Sequence, residues 1–244
     1  AMPHVFLWPE ARYLRDGWRG LRPCSHAEVE AQLSGLFPAG TPVIVSSGRA
    51  AITLLMEHLG FDRSTRVALP PYASHCVIEA TARVASPICF MGYQAGDAAL
   101  VYHQWGFVYE GPVPDIIVED AADSLCVPGA ELFPRGSNFE IWSLPKILGC
   151  SAGAVIWCRI EADAEQLHDR RDRRKRGSFS QWAMRVSGRY CRRAASSWEG
   201  TEALRGRLPA LALGDIRARV NAWQHVVEEA RRKLQCLLPF KPGW

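Results

Sequence analysis

The amino-acid sequence predicts an α/β protein with a mostly parallel central sheet and flanking helices. Its 244 residues are 48% hydrophobic and 22% charged, which is typical of a globular chain long enough to bury a core. Short apolar stretches of strand length alternate with longer stretches whose apolar residues recur at helical spacing. This alternation is typical of a parallel sheet buried on both faces. No stretch approaches the ~20 uninterrupted apolar residues that cross a membrane, so we expect no membrane span.

Four helices and seven strands account for this pattern. The first helix is predicted at residues 25–37, because Ser25 is a good N-cap and Glu28 stands three residues later, as a capping box requires. Further helices are predicted at residues 49–59, 75–85 and 214–234. The predicted strands are residues 43–45, 67–69, 88–90, 99–102, 116–118, 139–143 and 154–158.

Charge is distributed unevenly along the chain. Residues 1–158 hold 10 Lys and Arg against 15 Asp and Glu, whereas residues 159–244 hold 19 against 10, so a net charge of −5 precedes one of +9. This asymmetry indicates a second substructure or a polyanionic partner. We divide the chain into an N-terminal arm and helix (1–40), an α/β core (41–165) and a basic helical segment (166–244).

Cysteine usage and the start of the chain favour a cytoplasmic location. Eight cysteines are scattered without CxxC or CxH spacing, and the N-terminus lacks the charged and apolar regions of a signal peptide. We therefore expect reduced, mostly buried thiols rather than disulfides, and no metal site.

Candidate functional residues follow the predicted strands, because open α/β sheets bind ligands at the carboxyl ends of their strands. Residues 46–49 read Ser-Ser-Gly-Arg between a strand and a helix. Free backbone N–H groups and the positive end of a helix dipole suit this junction to a phosphate, and Arg49 would add a charge-assisted bond. The alternative is an ordinary helix N-cap with nothing bound.

Two ionisable residues follow later strands. Asp120 ends a very apolar strand, where an ionised group needs a partner, although capping of the next segment is an alternative. Lys146 lies in an apolar, glycine-flanked stretch and is the only lysine before residue 175. Partial desolvation would favour its neutral, nucleophilic form and suit it to Schiff-base formation, whereas the alternative is a snorkelling surface lysine.

A phosphate cradle, a carboxylate and a lysine on successive strand ends are together what pyridoxal phosphate (PLP) requires. The phosphate anchors the cofactor, the carboxylate keeps the pyridine nitrogen protonated, and the lysine binds the aldehyde carbon. The sequence therefore predicts a PLP site.

Five segments, in order and near the expected spacing, resemble the DegT/DnrJ/EryC1/StrS aminotransferases: SSGRAAITLLMEHL, VALPPYAS, YHQWG, IIVEDAADSL and WSLPKILGCSAGAVIW. The match covers about residues 43–158, and its most specific part is the Glu-Asp-Ala-Ala block with a lysine 26 residues after the aspartate. This family comprises PLP enzymes of fold type I that act on nucleotide-linked keto-sugars. The resemblance implies that the chain up to Trp244 comprises the large domain of that fold and largely lacks its small C-terminal domain.

The resemblance implies a role for each matched residue. Lys146 would be the catalytic Schiff-base lysine and general acid and base, and Asp120 would pair with the pyridine nitrogen. The remaining cofactor-binding residues would hold the phosphate or, for the tyrosine, stack on the ring: Ser47, Gly48, Arg49, Ser143 and Tyr72.

Two further positions qualify the resemblance. His103 and Gly106 match a His-x-x-Gly of the family and would support the site from the neighbouring strand end. Asp123 departs from the family, which usually has an amide or a histidine three residues after the aspartate. A carboxylate there would repel the phenolate oxygen of the cofactor.

A dense run of charges at residues 169–177 has three interpretations. It is a solvated helix face, a nucleic-acid-binding segment or, as the resemblance implies, a segment that reaches the cofactor phosphate of a partner subunit through Lys175 or Arg176. No aromatic residues alternate with the charges as nucleic-acid binding would favour. We therefore favour a homodimer contact over the solvated face, and both over nucleic acid.

The predicted function is a PLP-dependent aminotransferase that moves an amino group, expected from glutamate, to a nucleotide-linked keto-sugar. It would serve the synthesis of a cell-surface polysaccharide or a secondary metabolite. A lysine rather than a histidine at position 146 argues against the dehydratase branch of the family. The alternative is a shortened, non-catalytic relative that binds PLP or a sugar nucleotide, or that acts as a scaffold.

Overall fold

The computed structural model describes residues 22–89, 92–103, 107–124, 127–175, 204–225, 227, 228 and 232. Within these ranges, one seven-stranded sheet is flanked by six α-helices. The helices are α1 (His26–Leu36), α2 (Gly48–His58), α3 (His75–Ala82), α4 (Leu144–Leu148), α5 (Glu161–Arg173) and α6 (Ala210–Asn221). The strands are β1 (Thr41–Val45), β2 (Arg66–Ala68), β3 (Ser86–Ile88), β4 (Ala98–Tyr102), β5 (Ile116–Asp120), β6 (Phe139–Ser143) and β7 (Ala154–Cys158).

Each of the seven predicted strands is present, with bounds within two residues of those predicted. β3 lies two residues earlier than predicted because it pairs with β2 in a parallel register that starts at Ser86. Pro87 is tolerated there because β3 is an edge strand. The predicted capping box of α1 is confirmed in both directions between Ser25 and Glu28. The last predicted helix begins earlier, at Ala210, because Pro209 is its N-cap.

The strand order is β1-β7-β6-β5-β4-β2-β3, and β7 alone runs antiparallel to its neighbours. Only ten residues separate Ser143 of β6 from Ala154 of β7. A parallel crossover needs a dozen or more, so the chain reverses direction at this point. The predicted α/β fold with a mostly parallel sheet is therefore confirmed.

Helices cover both faces of the sheet. On one face Ile44, Trp142 and Trp157 pack in a cluster with residues of α1, α4 and α6. Phe37 meets Trp142 edge to face there, with ring centroids 4.8 Å apart. On the other face a second cluster joins β1, β4, β6 and β7 to α2, α3 and α5. Burial on both faces explains why these strands are uninterrupted apolar stretches.

Helix α5 carries part of the charged run, and one of its arginines is buried. The Nη1 atom of Arg171 donates to Glu30 Oε1 at 2.6 Å and to the Ile44 carbonyl at 3.1 Å. Burial alone would raise the pKa of Glu30, but its hydrogen bond with His168 and the charge of Arg171 hold that pKa below its usual value. A solvated face is therefore the wrong interpretation for Arg171, which links α5 to α1 and β1.

Other predictions concern the chain as a whole. Among the described helices, none combines the length and the apolarity that a membrane crossing requires. The five described cysteines are all free thiols: Cys24, Cys76, Cys89, Cys150 and Cys158. The three-part division of the chain stays a prediction.

Candidate active site

The predicted site residues lie at one edge of the sheet. β1, β2, β4, β5 and β6 all run in the same direction, so their carboxyl ends meet at that edge. It carries Ser47, Gly48 and Arg49 after β1, Tyr72 after β2, Asp120 at the end of β5, Ser143 at the end of β6, and Lys146 in α4. The chain therefore brings all seven to one edge, and their individual roles stay predictions.

The junction between β1 and α2 presents hydrogen-bond donors. Ser47 is the N-cap of α2, and its hydroxyl oxygen accepts the Ala50 amide at 3.1 Å, which leaves the hydroxyl hydrogen for another acceptor. The Gly48 amide donates no hydrogen bond within the described residues, and the position of a Cβ on Gly48 would face open space. Because these groups lie at the positive end of an eleven-residue helix, they suit a phosphate.

Asp120 is a buried carboxylate with an incomplete set of partners. Its Oδ1 atom accepts the Ala122 amide at 2.9 Å, and its Oδ2 atom has no hydrogen-bond partner in the part of the chain that the structure describes. Burial raises the pKa of Asp120 to about 6, and the charge of Lys146 opposes that rise. An N–H cation on the free oxygen would offset the cost of burying this charge.

Lys146 lies in the short helix α4, which follows β6 directly. Gly149 ends this helix in the left-handed conformation (φ 69°), which only glycine adopts readily. The Lys146 Nζ atom donates a hydrogen bond to Asp123 Oδ1 at 2.6 Å. Because Lys146 and Asp123 also influence the pKa of Asp120, the three charged groups share one site.

Gly153 links helix α4, which carries Lys146, to the junction between β1 and α2, called the phosphate junction below. Its amide donates to the Ser46 carbonyl at 3.1 Å, and its carbonyl accepts the Leu144 amide at 3.2 Å. Its φ of 104° favours glycine, and a Cβ there would lie only 3.0 Å from a methyl group of Ile216. The Ser143 hydroxyl, beside Leu144, has no hydrogen-bond partner within the described ranges and is able to donate to a phosphate.

Two tyrosines lie on the same face of the sheet as Asp120. Tyr102 pairs with Asp120 across the β4–β5 register, and burial together with the Asp120 charge raises the pKa of its hydroxyl. The Tyr72 ring is 61% exposed and lies 6.4 Å from the Tyr102 ring, centroid to centroid. The exposed ring is compatible with stacking on a ligand, which stays a prediction.

His103 supports this edge through its backbone rather than through its ring. Its amide donates to the Asp120 carbonyl at 2.9 Å. The Tyr109 amide donates to His103 Nδ1 at 3.3 Å, so Nε2 carries the hydrogen that it shares with Glu119 Oε2 at 2.6 Å. Glu119 lies on the opposite face of β5 from Asp120, because neighbouring strand residues alternate. Gly106, the other matched position, lies outside the described residues.

Sequence reasoning missed three contacts of the site. It treated Asp123 as a departure and not as a partner of Lys146, it gave Tyr102 no role, and it gave Glu119 no partner. The Asp123 contact depends on a turn at residues 121–124, which returns that side chain to the edge reached by Asp120. The other two depend on strand pairing, which residue spacing does not contain.

These residues fit a PLP cofactor. Asp120 offers a carboxylate oxygen that has no hydrogen-bond partner within the described residues and suits a cationic N–H group, and the Ser47, Gly48 and Ser143 donors suit a phosphate. Lys146 supplies an amine beside them. The fold and the site therefore define a PLP-binding α/β protein of the fold-type-I class.

The family of the chain follows from its sequence. A family model described as "Putative PLP-dependent aminotransferase" matches residues 29–238, and the chain belongs to that family. PLP is therefore its cofactor, as predicted. A search among curated proteins found no match.

Solved structures share the fold. The aminotransferase TlmJ from Streptoalloteichus hindustanus matches with a TM-score of 0.58 and 19% identity over 91% of this chain and 67% of that protein. A DegT DnrJ EryC1 StrS aminotransferase from Brucella abortus matches with a TM-score of 0.63 and 16% identity over 98% and 76%. The "Putative sugar aminotransferase Spr1654" of Streptococcus pneumoniae, in its PLP-form, matches with a TM-score of 0.60 and 14% identity over 91% and 67%. The chain thus spans about two thirds to three quarters of the length of these proteins, and the fold resemblance predicted from the sequence is confirmed.

Proposed function

We propose that the chain is an aminotransferase that moves an amino group from glutamate to a nucleotide-linked keto-sugar. The family supports aminotransferase chemistry. The sugar substrate is supported by the DegT/DnrJ/EryC1/StrS resemblance and by the description of Spr1654 as a sugar aminotransferase. We further propose that the protein is a cytoplasmic homodimer that serves the synthesis of a polysaccharide or a secondary metabolite.

One observation carries the proposal: a buried carboxylate and an amine lie at the same edge of the sheet, with Asp123 of the turn after Asp120 bonded to the amine. Asp120 ends β5, and Lys146 lies 26 residues further along the chain. The charge of Lys146 lowers the pKa of Asp120 and so opposes the effect of burial. Each group alone has an ordinary structural explanation. Only together, with phosphate donors at the same edge, do they meet the requirements of PLP.

Each residue then has a defined task. Bound PLP supplies an electron sink that stabilises negative charge on the carbon next to the transferred nitrogen. The Asp120 carboxylate would hold the pyridine nitrogen in its protonated form. Ser47, Gly48 and Ser143 donate hydrogen bonds to the phosphate, and Nζ of Lys146 accepts and returns the proton that moves during transfer.

The dimer proposal concerns the segment after α5. Lys175 is exposed, and its backbone carbonyl accepts the Gly206 amide at 3.3 Å. The Arg205 carbonyl in turn accepts the Ser46 hydroxyl at 2.9 Å, so this segment borders the phosphate junction of its own subunit. We propose that Lys175 extends from there toward the phosphate of a partner subunit. Arg176 lies outside the described residues.

Reductive trapping tests the proposed function. The chain is incubated with PLP, reduced with borohydride and digested, and the modified lysine is identified by mass spectrometry. We expect modification at Lys146, with much less at Lys175, Lys233 and Lys241, which report non-specific labelling. The matched control Lys146→Arg keeps the charge and should abolish specific trapping.

Turnover is a separate measurement on the same protein. Purified chain with PLP, glutamate and a set of nucleotide-linked keto-sugars should release 2-oxoglutarate. Trapping at Lys146 without turnover on any of these sugars would contradict the substrate proposal and favour a cofactor-binding relative. Absence of trapping at Lys146 would contradict the site itself.

A further inference from the structure

Asp123 is the ion-pair partner of Lys146, and nothing in the proposed chemistry requires a carboxylate there. Its Oδ1 atom lies 2.6 Å from Lys146 Nζ, and the two side chains are 18% and 43% exposed. Asp123 lies three residues after Asp120, in the turn where the Ser124 amide donates to the Ala121 carbonyl. The same turn therefore supplies both carboxylates of the site.

Stability alone gives little reason for this contact, because partly exposed ion pairs stabilise proteins weakly. Its consequence for reactivity is larger. A carboxylate at hydrogen-bond distance favours the charged form of an amine and fixes the direction of its N–H bonds. The contact with Asp123 therefore fixes the position of Nζ and the direction of one of its N–H bonds.

A lysine has to be uncharged before it attacks a carbonyl carbon. The ammonium first loses one proton to solvent. The neutral amine then forms a C–N bond to the aldehyde carbon, and one water leaves as this bond becomes C=N. Attack also requires Nζ to leave its hydrogen bond with Asp123, and that bond offers the amine a fixed position whenever the lysine is released from the cofactor.

We propose that Asp123 is a positioning residue that restrains Lys146 while the lysine is not bonded to PLP. The restraint slows capture of the cofactor and keeps the released amine within reach of the ring. This inference rests on the proposed function of Lys146, but the ion pair belongs to the protein without cofactor. It is therefore open to measurement in the absence of PLP.

Competitive amine labelling of the full chain tests the restraint directly. The protein without PLP is treated with a small amount of acetic anhydride at pH 7.5, and acetylation of each lysine is followed by mass spectrometry. In Asp123→Asn, and independently in Asp123→Ser, Lys146 should react about five-fold faster or more, relative to the other lysines. Asp123→Glu retains the charge and should stay close to the unaltered protein.

The other lysines and a second carboxylate variant serve as controls. Lys175, Lys233 and Lys241 should react at unchanged rates in every variant, which excludes general unfolding. Asp97→Asn removes a carboxylate that pairs with Arg66 at the amino-terminal end of β4, away from the site, and should leave Lys146 unchanged. Equal Lys146 rates in folded Asp123→Asn, Asp123→Ser and unaltered protein would overturn the proposal.

Capture of PLP separates this inference from the proposed function. Asp123→Asn should form the borohydride-trappable adduct at Lys146 faster than the unaltered protein. Slower capture would overturn the restraint, because it would show that Asp123 assists the attack. If no variant traps PLP at Lys146, the proposed function fails, while the labelling rates still decide whether Asp123 restrains the amine.

Discussion

Glu119 and Asp120 are adjacent carboxylates on β5 that differ in almost every physical respect. Glu119 accepts hydrogen bonds from the His103 ring and from the amides of Arg135 and Ser137. Burial alone would raise the pKa of Glu119, but these donors hold it below its usual value. The Asp120 carboxylate accepts a single hydrogen bond within the described residues, and burial raises its pKa to about 6.

The difference separates a carboxylate whose donors come from the protein from one that we propose binds a ligand. Both are buried, so burial alone does not distinguish them. The protein supplies the donors to the Glu119 carboxylate, whereas Asp120 Oδ2 has no hydrogen-bond partner among the described residues. A buried acid with a raised pKa and an open oxygen therefore indicates a binding position more reliably than an acid at the end of a strand does.

Truncation of Glu119 is expected to have the largest effect on stability. Glu119→Ala leaves the His103 ring, the buried Ser137 amide and the partly buried Arg135 amide without their acceptor, so the free energy of unfolding should fall by about 3–5 kcal/mol. Urea unfolding followed by circular dichroism measures this loss. Asp120→Ala is the matched variant, and a loss as large as that of Glu119→Ala would remove the distinction between the two carboxylates.

Asp120→Asn should instead stabilise the protein in a pH-dependent manner. The folded chain binds the Asp120 proton more tightly than the unfolded chain does, because the pKa rises from 3.8 to about 6. Proton binding by Asp120 thus stabilises the folded chain fully below about pH 3.8, and this stabilisation is lost as the pH rises through about 6. Without PLP, the free energy of unfolding of Asp120→Asn should exceed that of the unaltered protein by an amount that grows from near zero at low pH to about 3 kcal/mol above pH 7.

The measurement is urea unfolding of both proteins between pH 4 and pH 8. Only the difference between them matters, because the other titrating groups cancel. A constant difference across this range would show that Asp120 already has a partner.

Removal of the Ser143 hydroxyl should weaken PLP binding without changing stability. This hydroxyl has no partner within the described residues, so the unfolding of Ser143→Ala should match that of the unaltered protein. Loss of one donor to a phosphate should raise the Kd for PLP about ten-fold, measured by fluorescence titration. Ser46→Ala is the control, because its hydroxyl donates to the Arg205 carbonyl and its loss should act on stability.

The smallest expected effect is that of Asp123→Asn on stability. Lys146 is nearly half exposed, and exposed ion pairs contribute about 0–1 kcal/mol. Urea unfolding should therefore show a loss below about 1 kcal/mol. A loss comparable to that of Glu119→Ala would make Asp123 a structural residue and would contradict its assignment to the reactive lysine.

Short-range sequence patterns were sufficient to predict much of the fold. The capping box at Ser25 and Glu28 and the apolar strands are short-range features, and the structure contains each of them. The reversed direction of β7 was also predictable, because the ten residues between Ser143 and Ala154 are too few for a parallel crossover. Apolar content alone does not distinguish strand directions, so that reversal was not predicted.

Sequence patterns did not predict the side-chain contacts between residues that are distant along the chain. The charged run was interpreted from its neighbours in sequence, whereas Arg171 forms its main ion pair with Glu30, 141 residues away. Residue types at strand ends identified Asp120 and Lys146, because strand direction carries these residues to one edge. They did not identify the contact of Asp123 with Lys146, because contact between those side chains depends on the geometry of the turn after β5.

The central claim is that Asp120 and Lys146 bind the same PLP ring. Nitrogen NMR of the protein loaded with PLP that carries ¹⁵N in its ring tests this most directly, because the chemical shift reports whether the ring nitrogen holds a proton. We expect a protonated ring nitrogen at pH 8 in the unaltered protein and an unprotonated one in Asp120→Asn, with PLP attached to Lys146 in both. An unprotonated nitrogen in the unaltered protein, or the same shift in both proteins, would contradict the account.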